Sequence, residues 1–316
     1  MRFRILLVPI VALGLLTACG DNATSSNAST AGTGSTAASG AVAGSGPVAG
    51  SGPVAGTGPA VTSPAALPKP TVKLPSTMPT ALVITDLTEG TGTGAVDGDT
   101  VVVHYVGVRS ADGAEFDNSY DRGKPFSVTI GVGQVIKGWD QGLIGIKSGG
   151  RRQLDIPADL AYGNSPPSTD VIQPGDALSF VIDAVVIIPK SDPANAPVVS
   201  IPPTPNQAEQ TFTDLIVGDG VGIKPGQTVA VQLLAFSAAD GKKLDSSWDA
   251  GTPLTFVPGS GQLPPGLEKA VEGMKVGGRR QVDIPFAQAF GAAGNSSLGL
   301  PPSTDLIMVL DLIAVY

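Results

Sequence analysis

The side chains that most often perform covalent or metal-assisted chemistry are scarce in this chain of 316 residues. It contains one cysteine, Cys19, and one histidine, His104, so the sequence offers neither a zinc-type cluster nor a Cys–His pair. A Ser-His-Asp triad would have to use His104, which lies in the alternating apolar run from Val101 to Val106. We therefore interpret His104 as a structural strand residue and predict that the protein uses neither a metal nor a cofactor.

Charge and loop composition argue against three further classes of partner. With 19 Lys plus Arg against 27 Asp plus Glu, the net charge is −8. This acidic balance disfavours nucleic acid and anionic membrane surfaces as partners. The short run Gly131-Val132-Gly133 lacks the spacing of a dinucleotide or phosphate loop and is typical of a turn.

One domain is present twice in the chain. The segment Gly149–Pro157 returns as Gly277–Pro285 with eight of nine residues identical, at an offset of 128 residues. The same offset pairs Asp183 with Asp311, so the repeat is a duplicated domain and not a short motif. A proline-rich break separates the copies. The predicted organisation is a first domain, a linker and a second domain, at residues 79–190, 191–206 and 207–316.

The residue pattern of the first copy is mostly that of strands. Segments rich in β-branched residues and punctuated by turn residues predict strands at Leu82–Leu87, Thr100–Val108, Phe126–Ile130, Gln153–Ile156 and Ala177–Ile188. From Lys137 to about Ile146 the apolar residues Trp139, Leu143 and Ile146 fall on one helical face. We predict an α+β fold in which each copy curls an antiparallel sheet of five to six strands around one short helix.

Five short motifs follow one another in the first copy: Val102–Gly107, Phe116-Asp117, Asp121–Phe126, Val135–Trp139 and Ala161–Gly163. Their order and spacing resemble the FKBP family of peptidyl-prolyl cis-trans isomerases over about residues 79–190. The resemblance implies a half-barrel sheet wrapped around the short helix. It also implies an apolar pocket between sheet and helix that receives proline and the macrolide inhibitors of the family.

The resemblance assigns roles to individual residues. The pocket would be lined by Tyr105, Phe116, Phe126, Val135, Ile136, Trp139, Tyr162, Ile172 and Phe180. Asp117 would be the acid at its rim, and Arg122 would hold that acid and the tyrosine edge in place. Trp139 would form the floor under the proline ring, while the Ile136 N–H and the Tyr162 hydroxyl would bind substrate carbonyls. The loop after Tyr162 departs from the Gly-rich family pattern, which leaves the substrate preference open.

Elementary chemistry points to the same kind of pocket. An X-Pro bond isomerises slowly because amide resonance sets a barrier of about 18 to 20 kcal/mol, and no covalent bond needs to break. An amide twisted out of plane loses its charge separation. A dry aromatic pocket therefore destabilises the planar ground state relative to the twisted transition state, so aromatic side chains matter more than acids or bases.

The second copy lacks most of these pocket residues. At the equivalent positions it carries Leu233, Leu244, Ala250, Leu254, Pro264, Leu267, Phe290 and Met308, and only the acid is kept, as Asp245. Pro264 also has no backbone N–H to offer a substrate carbonyl. We predict a degenerate FKBP-like domain that folds but is inactive, with a structural or substrate-binding role.

The N-terminus carries a targeting signal. Arg2 and Arg4 precede an apolar run of about 12 residues, which has the length of a secretory h-region and is too short to span a bilayer. The run ends in Leu16-Thr17-Ala18-Cys19, which resembles a bacterial lipobox. We predict a signal peptide at residues 1–18 and acylation of Cys19, palmitate included, which would anchor the protein outside the cytoplasm to a bacterial membrane. A secreted protein with a chance cysteine, or an uncleaved anchor, are the alternatives.

Residues 19–78 are rich in Gly, Ala, Ser, Thr and Pro and predict a disordered tether, because they have few large apolar side chains to bury. The whole sequence thus predicts a lipid-anchored peptidyl-prolyl isomerase that assists the folding of exported, proline-containing polypeptides. Two alternatives stay open at this point. One is a non-enzymatic chaperone or binding module, and the other is a surface-interaction protein.

Overall fold

The computed structural model describes residues 68–167 and 171–316. The predicted signal peptide, Cys19 and most of the predicted tether lie outside these ranges, as do residues 168–170 of the loop after Tyr162. The described residues form two six-stranded antiparallel sheets with few short helices, which confirms the predicted fold class. None of the helices within these ranges has the length and apolar character needed to cross a membrane.

The first domain has six strands and one α-helix: β1 (Val83–Thr88), β2 (Thr100–Arg109), β3 (Glu115–Asn118), β4 (Phe126–Thr129), α1 (Lys137–Gly142), β5 (Arg151–Ile156) and β6 (Leu178–Ile188). The strand order is β1-β5-β6-β2-β3, and β4 also pairs with β2. Alternate residues of β2, such as Val101, Val103 and Tyr105, face α1 and form the core with Trp139 and Leu143. The sheet therefore presents one buried face to the helix, and this face supplies the candidate site.

Helix α1 is shorter than predicted, because it ends at Gly142 and not near Ile146. Gly145 adopts a φ of +79°, a left-handed conformation that does not continue a helix. The Arg152 guanidinium donates to the carbonyls of Gly142 and Ile144, both at 2.8 Å, which satisfies acceptors that a longer helix would have used. Ile146 is nevertheless fully buried, so the apolar face was predicted correctly although the helix end was not.

The residue pattern did not assign strand β3, which contains only four residues. It pairs with β2 through Val106 and Gly107, and the register shifts between Gly107 and Val108. Such an irregular, half-exposed strand has no period-2 pattern for sequence analysis to detect. It carries two of the predicted site residues, Phe116 and Asp117.

The second domain repeats this arrangement with β7 (Thr211–Ile216), β8 (Val229–Ser237), β9 (Lys243–Ser246), α2 (Ser247–Ala250), β10 (Leu254–Phe256), α3 (Pro265–Lys269), β11 (Arg279–Ile284) and β12 (Leu306–Val315). The strand order is β10-β8-β12-β11-β7, with β9 also paired to β8. One difference is α2, a single turn that has no helical counterpart in the first domain. Ser246 caps it by accepting the Asp249 N–H at 3.1 Å.

The two sheets contact each other through the faces opposite α1 and α3. Val102, Val186 and Ile188 of the first domain form one buried cluster with Ala230 and Ala314 of the second. Beside it, Ser191 of the predicted linker exchanges hydrogen bonds with Gln232 at 2.7 to 2.9 Å. Helices α1 and α3, with the equivalent regions beside them, are therefore on the side of their sheets that faces away from the other domain.

Candidate functional site

The predicted pocket residues of the first domain meet on the core face of the sheet, at one end of α1. Strand β2 supplies Tyr105, β3 supplies Phe116, β4 supplies Phe126 and β6 supplies Phe180. Trp139 comes from the first turn of α1 and is almost completely buried. Five aromatic side chains that are distant in sequence therefore converge because antiparallel pairing places β3, β4 and β6 beside β2.

Trp139 lies at the centre of this cluster. Its ring centroid is 5.2 Å from that of Tyr105, 5.3 Å from that of Phe180 and 6.1 Å from that of Phe126, with interplanar angles of 89°, 84° and 72°. Phe116 in turn packs edge-to-face on Phe180 at 5.6 Å. Edge-to-face packing is a preferred arrangement of aromatic rings, so each ring holds its neighbours in a fixed orientation. The indole N–H of Trp139 is buried and has no hydrogen-bond partner among the described residues.

Gly107 on β2 makes this arrangement possible, and the sequence analysis did not identify it as a site residue. A Cβ atom at this position would lie 2.6 Å from the Phe180 ring and 2.9 Å from the Phe116 ring. The two rings therefore cover the backbone where only glycine fits. The second domain has Ala235 at the equivalent position, where Leu244 and Met308 replace the two rings.

Three polar side chains hold one another at the rim of the cluster. The Tyr105 hydroxyl donates to Asp117, and Arg122 pairs with the same carboxylate. Arg122 also donates from Nη2 to the Tyr105 hydroxyl oxygen at 2.8 Å. Burial, followed by the hydrogen bond to Asp117, raises the pKa of Tyr105. Its hydroxyl therefore stays protonated at neutral pH and keeps donating to Asp117.

The cluster is open on one side. Phe126 is 38% exposed and Tyr162 is 37% exposed, whereas the rings behind them are buried. Burial, and to a smaller extent the charge of Asp117, raises the pKa of the Tyr162 hydroxyl, so it can donate a hydrogen bond at neutral pH. The Ile136 N–H takes part in none of the backbone hydrogen bonds of the described residues. The apolar surface therefore has two polar donors beside it, the Tyr162 hydroxyl and the Ile136 N–H.

The remaining predicted lining residues are also at the cluster. Val135 and Ile136 pack against the core just before α1, and Ile172 is buried in it. The structure thus brings all the predicted pocket residues to one region, while their individual roles stay predictions. His104 lies elsewhere, on the opposite face of β2, where its Nδ1 is 2.9 Å from the Ser119 hydroxyl and its ring packs on Tyr120. This position fits its interpretation as a structural residue.

The equivalent region of the second domain is filled by aliphatic side chains. Leu233, Leu267 and Met308 are buried in the core, with Leu244 and Leu254 packed against it. Asp245 accepts the N–H of the adjacent Ser246 at 2.8 Å, and within the described residues no arginine or tyrosine pairs with it. Pro264 occupies the N-cap of α3, the position of Ile136 in the first domain. This region has no ring cluster, and it lacks both donors of the first domain, because Pro264 has no N–H and Phe290 has no hydroxyl.

Comparison with known proteins gives a consistent result. The model of the family described as FKBP-type peptidyl-prolyl cis-trans isomerase matches residues 92–185 and 220–313, together more than half of the chain. An FK506-binding protein of Streptomyces anulatus is 50% identical over 123 residues, which cover 39% of this chain and 99% of that protein.

Two further proteins are similar to part of this chain. Peptidyl-prolyl cis-trans isomerase FKBP9 of Rattus norvegicus is 34% identical over 219 residues, which cover 69% of this chain and 35% of that protein. The crystal structure of FkpA from Escherichia coli is 42% identical, with a TM-score of 0.32, and covers 38% of this chain and 52% of that chain. With two matches to the family model and a relative covered almost completely at 50% identity, the chain belongs to the FKBP-type peptidyl-prolyl cis-trans isomerases and carries two domains of that family.

Proposed function

We propose that the first domain performs the catalysis and that it isomerises X-Pro bonds with the proline ring placed over Trp139. The observation that carries this proposal is the aromatic cluster around Trp139, which the second domain lacks. Such a surface is apolar, rigid and open at Phe126 and Tyr162, so it can receive a ring from solvent. It contains no nucleophile, and none is required to rotate an amide bond.

The chemistry follows from the loss of charge separation in a twisted amide. Transferring the X-Pro bond from water to the aromatic surface removes hydrogen bonds that favour the planar form, which lowers the relative free energy of the twisted form. The Ile136 N–H and the Tyr162 hydroxyl would hold the flanking carbonyls and orient the chain. Asp117, fixed by Tyr105 and Arg122, would define the rim and keep the entrance in one shape.

The second domain would keep the fold without the activity. Its aliphatic side chains fill the region where the first domain presents aromatic rings, and Pro264 removes a donor. A structural role, or weak binding of apolar segments, is what this composition supports.

The ligands of the first domain would be proline-containing polypeptides. Several relatives are named FK506-binding proteins, which supports macrolide binding at the same surface. If the predicted acylation of Cys19 holds, the clients are exported proteins that fold near a membrane. Cys19→Ser tests this location separately, because loss of membrane association is expected while isomerase activity is retained. A Cys19→Ser protein that stays with the membrane would contradict the lipid anchor.

The catalytic assignment is tested in the full chain with matched alanine substitutions in the two domains. Trp139→Ala is expected to lower kcat/KM for a proline tetrapeptide at least about tenfold, which corresponds to about 1.4 kcal/mol of transition-state stabilisation. Leu267→Ala, the same position in the second domain, is expected to leave kcat/KM unchanged. Since a buried Trp→Ala change costs about 3 to 5 kcal/mol of stability, circular dichroism must confirm the fold. Phe116→Ala, at another lining residue, gives a second test if Trp139→Ala does not fold. If Trp139→Ala and Leu267→Ala both have the activity of the wild type, the assignment is contradicted.

A further inference from the structure

Residues 68–77 precede β1 and form a strap across the outer face of the first sheet, opposite the core. Arg151 donates from Nη2 to the Pro68 carbonyl at 3.2 Å, and Gln153 donates from Nε2 to the Lys73 carbonyl at 2.7 Å. Near the other end, Leu74 covers Gly113, where a Cβ atom would lie 3.5 Å from the Leu74 Cδ1 atom. The strap is therefore tied to the sheet by backbone acceptors and by one apolar contact.

One side chain of the strap contacts residues 115–121, which comprise β3 and the turn after it and carry part of the candidate site. The Lys69 ammonium lies 3.0 Å from Glu115 Oε1 and 3.1 Å from Asp121 Oδ2. Asn118 donates to the same two carboxylates, at 2.6 Å to Glu115 and 2.8 Å to Asp121. The hydrogen bonds to Glu115 and then Asp121 raise the pKa of Lys69, so it stays charged at neutral pH. One ammonium and one amide therefore bridge two acids that would otherwise repel each other.

These two acids flank the residues of the candidate site. Glu115 immediately precedes Phe116, which packs on Phe180. Asp121 immediately precedes Arg122, which holds Asp117 and Tyr105. Lys69 thus fixes both ends of residues 115–121, the segment that carries one wall and the acid of the pocket.

The second domain has no strap lysine, and the equivalent segment, residues 243–249, is stabilised in a different way. The strap sequence recurs in part, since three of the six residues 72–77, Val72, Pro75 and Thr77, are matched by Val199, Pro202 and Thr204 at an offset of 127 residues. Ile201 is buried against the outer face of the second sheet. The cation that pairs with this segment, however, belongs to the segment itself and not to the strap.

Lys243 stands where the first domain has Glu115, and it pairs with Asp249, the counterpart of Asp121, at 2.7 Å. In the register of the two straps, the position of Lys69 is occupied by Ala196, which carries no charge. In the second copy, the charge of Asp249 is therefore neutralised by a residue of the same segment, Lys243. In the first copy, the charges of Glu115 and Asp121 are neutralised by Lys69, which lies outside the region that matches the family model.

We infer that Lys69 is a positioning residue for the isomerase site, through which the strap stabilises the pocket wall at residues 115–121. This inference rests on the proposed function of the first domain. It makes the activity of that domain dependent on residues that precede its first strand. Because the pair is more than a third exposed, the expected effect is small, about two- to fivefold in kcat/KM.

The test uses the full chain and a proline tetrapeptide. Lys69→Ala is expected to lower kcat/KM about two- to fivefold, and Lys73→Ala, which removes a charge from the same strap, is expected to leave it unchanged. Lys69→Arg is expected to retain activity. Lys69→Ala combined with Glu115→Lys copies the arrangement of the second domain and is expected to restore it. The wild type should lose activity as salt rises, and Lys69→Ala should not, because salt screens an exposed ion pair.

Amide hydrogen exchange gives a second readout within the same molecule. Lys69→Ala should speed exchange at residues 115–122 and leave the equivalent residues 243–250 unchanged. Wild-type activity in Lys69→Ala, or equal losses in Lys69→Ala and Lys73→Ala, would overturn the inference. Trp139→Ala, measured in parallel, distinguishes a failure of the Lys69 inference from a failure of the proposed function. If Trp139→Ala loses activity and Lys69→Ala does not, only the role of Lys69 fails, whereas full activity in Trp139→Ala contradicts the proposed function.

Discussion

The two domains have the same strands in the same order, yet they differ at nearly every residue of one small region. The paired arginines and aspartates of their sheets are the same in both copies, since Arg151–Asp183 recurs as Arg279–Asp311, with nitrogen–oxygen distances of 2.5 and 2.6 Å. The aromatic cluster is not repeated. The fold therefore forms with the same outer-face ion pairs and the same alternating core whether or not the aromatic rings are present.

The substitutions in the second domain are coupled to one another. Where Phe116 and Phe180 cover the backbone, residue 107 is glycine, and where Leu244 and Met308 replace them, residue 235 is alanine. A methyl group thus occupies space that the rings had taken. The second domain therefore has a repacked core with the same strand order as the first, and β12 pairs with β8 with one register shift, between Leu312 and Ala314.

The largest expected effect comes from transferring the floor of the second domain into the first. Ile136→Pro combined with Trp139→Leu removes one donor and the central ring, and should lower kcat/KM about a hundredfold, or about 2.7 kcal/mol of transition-state stabilisation. The reverse exchange, Pro264→Ile with Leu267→Trp, should produce no comparable gain, because the surrounding rings are absent and such effects are not additive. A full chain with Ile136→Pro and Trp139→Leu that keeps most of its kcat/KM would show instead that the second domain is active as well.

The coupling at residue 107 predicts the next effect, which is on stability. Gly107→Ala should lower the free energy of unfolding of the first domain by about 1 to 3 kcal/mol, because the new methyl group would overlap the Phe116 and Phe180 rings. Urea denaturation measures this loss. The matched change Ala235→Gly should cost only about 0.5 to 1 kcal/mol, the usual effect of glycine within a strand. Adding Phe116→Leu to Gly107→Ala should recover part of the loss, and no recovery would contradict the coupling.

A smaller effect is expected at the rim, where the second domain has Ala250 in place of Arg122. Arg122→Ala should lower kcat/KM no more than about fivefold, since Arg122 and Asp117 are 50% and 42% exposed and solvent screens their pairing to about 1 kcal/mol or less. Arg122→Lys should restore only part of the activity, because an ammonium cannot span Asp117 and Tyr105 as the planar guanidinium does. Full activity of Arg122→Ala would show that the rim needs no such support.

The same comparison shows how much could be predicted from the sequence. Strand periodicity and the 128-residue offset were sufficient for the fold class and the duplication. The end of α1 could not be predicted, since it depends on Arg152 reaching back from β5. The requirement for glycine at residue 107 arises from rings on two other strands. The contact of Lys69 with the pocket loop likewise depends on tertiary structure, because its partners are 46 and 52 residues away.

The smallest effect is expected from pH, because kcat/KM should hardly change between pH 7 and 9. Burial raises the pKa of Tyr105 and of Tyr162 above the ordinary value of 10.0, and it lowers the pKa of His104 below the ordinary value of 6.5. None of these groups changes protonation between pH 7 and 9, so kcat/KM of the wild type should be constant there within about twofold. A tyrosine whose pKa is raised on folding stabilises the protein below pH 10. That contribution is lost as the pH rises through the folded-state pKa, so unfolding free energy should fall only in strong alkali. A bell-shaped profile between pH 7 and 9 would reveal a titrating group in the site and would contradict a mechanism based on an apolar aromatic surface.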